Sequence, residues 1–205
     1  MYYPLLILNE GVVSENEKEG NIMQGSNVPQ ETVQTAQLLA NLFLSRENRI
    51  IDAITTGAGW EIWLQVEFIL WTRETIGQYN WSAAREVPYP NSNEKLDFAL
   101  QRGNKYYGLE LKAESANQWQ GGIASSTFWT GMQADVKKLY GYSAKSGKST
   151  SYGGGFAIGV VFHPKIKALG LREQTQNNTL KASLGAQQVL YAEGEQIGVI
   201  IAIQE

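Results

Sequence analysis

An α/β or α+β domain with a mixed β-sheet flanked by helices is the fold class this sequence predicts. Apolar residues at three- and four-residue spacing dominate the first third, and short β-prone runs separated by turn residues begin at Arg85. A helical pattern then separates the hairpin from the apolar strand patterns that close the chain. The 205 residues, 43% hydrophobic and 11% aromatic, supply one buried core, so one domain over 1–205 is expected.

Residues 1–30 combine an apolar stretch from Tyr2 to Leu8, read as an edge strand, with a polar arm through Glu15, Glu17, Lys18 and Glu19. Val33, Ala36, Leu39, Ala40, Leu42 and Phe43 then predict a helix over 31–46. After the Gly57-Ala58-Gly59 break, GWEIWLQVEFILWTRETI predicts a second, Trp-rich helix over 60–77. REVPYP, KLDFALQ and KYYGLELKAE follow as strand candidates, and a helix is expected over 128–142. FAIGVVFHP and IGVIIAI read as buried strands, with a partly helical stretch between Arg172 and Gln188.

Composition excludes several chemistries. With no cysteine, disulfides, thiolate metal sites and cysteine nucleophiles are absent, and His163 alone cannot build a multi-histidine site. It precedes Pro164 at the end of a buried strand and reads as structural. SGKST at 146–150 is no phosphate loop, because Tyr142 stands where the first glycine belongs. No apolar run approaches the roughly 18 residues that span a bilayer, and MYYPLLILNE lacks a signal peptide's basic start and cleavage site. A cytoplasmic protein with no membrane partner is expected.

The net charge of −3 hides a segregation: residues 136–181 hold eight basic side chains against Glu173 alone, while residues 1–135 hold sixteen acidic against nine basic. Such a basic segment suits either a polyanion or plain solvent.

The segment KLDFALQRGNKYYGLELK carries the chemistry. A two-residue Gly103-Asn104 turn would pair residues whose numbers add to 207. Leu96 and Phe98 then share an apolar face with Leu111 and Leu109, while Asp97 lies across from Glu110 and Lys95 across from Lys112. Facing carboxylates repel unless a cation lies between them, and a divalent metal such as Mg²⁺ is a natural partner. The same pairing also fits the wet face of a hairpin on which Lys95 and Lys112 neutralise the acids.

The D-x12-E-L-K pattern of Asp97, Glu110 and Lys112, on adjoining strands followed by a helix and a strand, resembles the PD-(D/E)XK nuclease superfamily over roughly residues 60–164. The family's proline is missing, since Leu96 precedes Asp97. The resemblance implies a restriction endonuclease-like fold and hydrolysis of a DNA phosphodiester. It implies Mg²⁺, with Mn²⁺ as substitute, on Asp97, Glu110 and the Leu111 carbonyl, and Lys112 positioning water. It also implies a further acid on the preceding helix. Glu67 is the preferred candidate because its helical neighbours are mostly apolar, with Glu61 the second choice. A buried ion pair with Arg73 or Arg85 is the alternative for Glu67. On the helix after the motif, Gln133, Lys137 and Lys138 are candidates for supporting or phosphate-contacting roles, joined by Lys145 and Lys148 in the loop beyond. The resemblance allows a homodimer. A non-catalytic nucleic-acid-binding or assembly module of the same fold is the competing expectation, with a carbohydrate-active β-protein ranked below both.

Overall fold

The computed structural model describes residues 28–55, 60–88, 93–114, 126–145, 152–162 and 165–205. The expected strand at Tyr2 to Leu8, His163 and the SGKST loop lie outside them.

In chain order the helices are α1 (Gln30–Leu44), α2 (Glu47–Thr55), α3 (Trp60–Glu74) and the single turn α4 (Ile76–Tyr79). Strands β1 (Trp81–Pro88), β2 (Lys95–Arg102) and β3 (Lys105–Ala113) follow, then α5 (Ser126–Lys145) and β4 (Tyr152–Phe162). The remaining elements are α6 (Lys165–Gln176), α7 (Thr179–Leu184), β5 (Gln188–Glu193) and β6 (Ile197–Gln204). Among the described residues six strands form one sheet in the order β1-β2-β3-β4-β6-β5. Only β3 and β4 run parallel, because α5 carries the chain back between them; the other neighbours are antiparallel.

The helices cover both faces. On one face α1 and α3 bury Leu39, Phe43, Leu64, Phe68 and Trp71 against Phe98, Leu109, Phe156 and Ile201. On the other, Phe128, Met132, Val136 and Leu139 of α5 pack with Leu171, Leu180 and Leu184 over Ala157, Val161 and Ile200. Strands β4 and β6 are neighbouring inner strands with both faces covered, so nearly every residue along them is buried. That double coverage explains why FAIGVVF and IGVIIAI read as continuous apolar runs rather than alternating ones. No helix among the described residues is long and apolar enough to cross a membrane.

Several elements depart from the sequence reading, among them β5 and α2. Strand β5 stands where the sequence reading assigned no element, its mostly half-buried residues being held by pairing with β6 rather than by an apolar pattern. Helix α2 is a separate short amphipathic helix. Its Glu47 carboxylate accepts the backbone N–H groups of Glu195, Gln196 and Ile197 at 3.1, 2.6 and 2.8 Å, closing the β5–β6 turn from 150 residues away.

The β2–β3 hairpin turns at Gly103, whose φ of +60° suits a residue without a side chain. Phe98 pairs with Leu109 and Arg102 with Lys105, so every observed pair sums to 207 as the turn demands. Beyond Phe98 the pattern breaks. The β1–β2 ladder skips Glu86 and Asp97, and Glu86 takes φ of +51°. Leu96 is thereby turned away from Phe98 onto the α5 face, correcting the expected shared face with Leu111. Gly108 makes this fit: a Cβ there would lie 3.2 Å from Leu96 Cδ2 and 3.4 Å from Leu139 Cδ2.

Candidate active site

The break in the hairpin opens the edge of β3. In a strand, the N–H and C=O of one residue point to the same neighbour and those of the next residue point away. The Glu114 N–H donates to Val160 O on β4 at 2.9 Å, so residues 111 and 113 turn their backbone groups to the β2 side. There the ladder has ended and side chains take over. Asp97 Oδ2 accepts the Leu111 N–H at 2.8 Å, and Glu61 Oε2 accepts the Ala113 N–H at 3.0 Å. The Leu111 carbonyl lies between these two N–H groups along the same edge, flanked by carboxylates from β2 and from the first turn of α3.

The face of β3 supplies the rest. Glu110 is 3% exposed, and its Oε1 meets Lys138 Nζ of α5 at 2.8 Å. The same ammonium donates to the Lys95 carbonyl at 2.9 Å. Lys112 reaches over the edge to Glu61 Oε1 at 3.3 Å. Its stem runs across Gly131 of α5, where a Cβ would stand 3.1 Å from Cδ and Cε. One turn further along α5, Asp135 adds its charge to the field of Lys112 and Glu110. Gly131, Asp135 and Lys138 thus form one row of α5 facing the opened edge.

Four carboxylates (Glu61, Asp97, Glu110, Asp135) meet two lysines here, an excess of two negative charges when all are ionised. Burial pushes the Glu110 carboxyl up to about 7, helped by the Asp97 charge and only partly opposed by Lys138. Burial likewise lifts Asp135 to about 6 against the pull of Lys112. For Lys112, burial acts to lower the pKa, but the charges of Glu61, Asp135 and Asp97 prevail and hold it above the ordinary lysine value. Lys112 is therefore an ammonium without a bound cation, a fixed positive charge rather than a base.

These shifts set a pH dependence. Glu110 and Asp135 hold their protons more tightly in the folded chain than at the ordinary 4.5 and 3.8. The stability this adds is complete below pH 3.8 and is lost as pH rises through 6 and 7. Without divalent cations, the Glu110 contribution amounts to at most about 3 kcal/mol. Melting temperatures from about pH 5 to 7.5 are expected to fall more steeply in the wild type than in Glu110→Gln; equal slopes would refute the assignment.

The preferred helix acid requires correction. Glu67, 6% exposed, pairs through Oε1 with Arg49 Nη2 at 2.8 Å. Six residues beyond Glu61, it lies about 9 Å along the helix and roughly 120° around it, and Glu61 is the helix acid at the opened edge. The ion-pair alternative had the right chemistry but the wrong partner, since Arg85 instead donates to Gln65 Oε1 and Arg49 comes from α2. Lys95 pairs with Glu86 at 3.2 Å rather than with Asp97. Gln133 is exposed and donates to the Ser183 carbonyl at 2.9 Å, tying α5 to α7, and Lys137 is exposed on the outer side of α5. Lys145 ends α5 with its side chain outside the described residues, where Lys148 also lies. Asp135 was missed by the sequence reading.

The donors at this edge are all oxygens, which matches a hard divalent cation and not a soft one. Among the described residues no three acidic groups are close enough to form a cage. Mg²⁺ needs less, because it takes one or two carboxylates and completes its shell with water and substrate oxygens. Asp97, Glu110 and the Leu111 carbonyl fit that demand. No family model matches the chain, and no match was found among curated proteins or solved structures.

Proposed function

We propose that this protein is a metal-dependent nuclease of restriction endonuclease-like fold that hydrolyses DNA phosphodiesters. The observation that carries the reading is the opened edge of β3, where Asp97, the Leu111 carbonyl and Glu61 stand in line beside Glu110 and Lys112. Asp97, Glu110 and the Leu111 carbonyl would hold Mg²⁺ or Mn²⁺. Bound there, the ion supplies Lewis acidity toward a phosphoryl oxygen and lowers the pKa of water. Glu61 fixes the Lys112 ammonium at the edge. Lys112 orients the attacking water and faces the negative charge that grows on the phosphate. The exposed Lys137 on α5 offers a contact for the DNA backbone.

Incubating purified protein with a mixed-sequence DNA substrate and Mg²⁺ or Mn²⁺ is expected to give cleavage that chelator and Asp97→Asn both abolish. Cleavage unaffected by Asp97→Asn would sink the assignment. A second reading, a non-catalytic nucleic-acid-binding module, is favoured by the engagement of Glu110 with Lys138. Salt-dependent DNA binding without hydrolysis under either cation would select it.

A further inference from the structure

The acid cluster at the opened edge already contains a cation, the ammonium of Lys138. It stands 2.8 Å from Glu110 Oε1 and is held on its other side by the Lys95 carbonyl at 2.9 Å. Two oxygens of different strands thus grip one nitrogen, at a carboxylate buried to 3%. A divalent ion using Glu110 must share or take that oxygen.

We propose that Lys138 is a built-in counter-cation that occupies the seat beside Glu110 and competes with the divalent ion for it. This rests on the metal reading above and adds a role that the acids alone do not predict.

Two features make the exchange physically reasonable. The Lys138 side chain is 27% exposed, so its ammonium has a path to solvent, and a lysine stem has enough rotatable bonds to take it. A dication also outbids a single charge at one carboxylate, while the added repulsion drives the ammonium outward. The cost falls on affinity: cation binding must first break a charged hydrogen bond in a desolvated place. Lys112 has no such conflict. Its contacts are to Glu61 and to the groove of Gly131, and it retains them when Glu110 changes partner.

The test is calorimetric titration of Mn²⁺ alone into the wild type, Lys138→Met, Lys138→Gln, Lys138→Arg and Asp97→Asn, with folding checked by circular dichroism. Lys138→Gln keeps a hydrogen-bond donor for Glu110 and guards against loss of fold in Lys138→Met. Both neutral variants are expected to bind Mn²⁺ about tenfold more tightly than the wild type. Lys138→Arg, whose planar fork grips a carboxylate more firmly, should bind more weakly. Neutral variants that bind equally or less tightly, while Asp97→Asn abolishes binding, would overturn the competition and leave the metal site standing. Mn²⁺ binding absent from the wild type and both neutral variants would overturn the metal reading, and the competition with it.

Discussion

Replacing Lys112 with alanine is expected to lower Mg²⁺-dependent DNA cleavage by about a hundredfold to a thousandfold, with the fold retained. The ammonium is one of two positive charges at the opened edge of β3, drawn there by Glu61 and kept protonated by the surrounding acids. On the proposed mechanism, removing it takes away the charge that would face the reacting phosphate, and it leaves Glu61, Asp97 and Asp135 to repel one another. The structural cost is small, because the side chain is 29% exposed and its ion pair lies near the surface. Cleavage rates measured beside thermal melts separate the two effects. Near wild-type cleavage in a folded Lys112→Ala protein would exclude the lysine from the chemistry.

The largest expected loss of stability falls far from that edge, at Gly153. An added Cβ would stand 2.3 Å from Cε1 and 2.6 Å from Cζ of Tyr107. That ring is 1% exposed and stacks on Phe156 with centroids 5.2 Å apart, so it has nowhere to move. Nor can the backbone retreat freely, since the Gly153 carbonyl accepts the Thr32 hydroxyl at 2.9 Å and fastens α1 to β4. Gly153→Ala is expected to destabilise the protein by about 3 kcal/mol through overpacking, read as a lower urea midpoint. A loss under about 0.5 kcal/mol, the usual range for surface changes, would show that Tyr107 has slack the packing does not reveal.

The hairpin was the most legible part of the molecule. Gly103-Asn104 fixed the register by turn chemistry alone, and the buried central strands announced themselves by composition. The break in pairing at Asp97 was not legible, because it depends on Glu86 of a neighbouring strand and on the space that Gly108 leaves for Leu96. Hydrophobic periodicity placed Glu67 in an apolar setting, and it is buried. Periodicity cannot name the partner, and Arg49 belongs to a helix the pattern did not resolve. Glu61 looked like an ordinary acid at a helix start, a position the macrodipole alone explains. Its role depends on the tertiary approach of α3 to Ala113. Asp135 escaped because the polar side of α5 was read through Gln133 and Lys137. The core row Phe128, Met132, Val136 and Leu139 instead turns the flank of Gly131, Asp135 and Lys138 toward the sheet.

The position of β6 has a consequence for assembly during synthesis. It is the last strand described in the chain, yet it fills the gap between β4 and β5. Until residues 197–204 leave the ribosome, β4 presents a long apolar edge with no antiparallel neighbour. The nascent chain must hold β3, β4 and α5 as an incomplete layer, exposed to wrong pairing, although every group of the acid–lysine edge has already been made. The described sheet therefore closes in a late step, when β6 slots between β4 and β5.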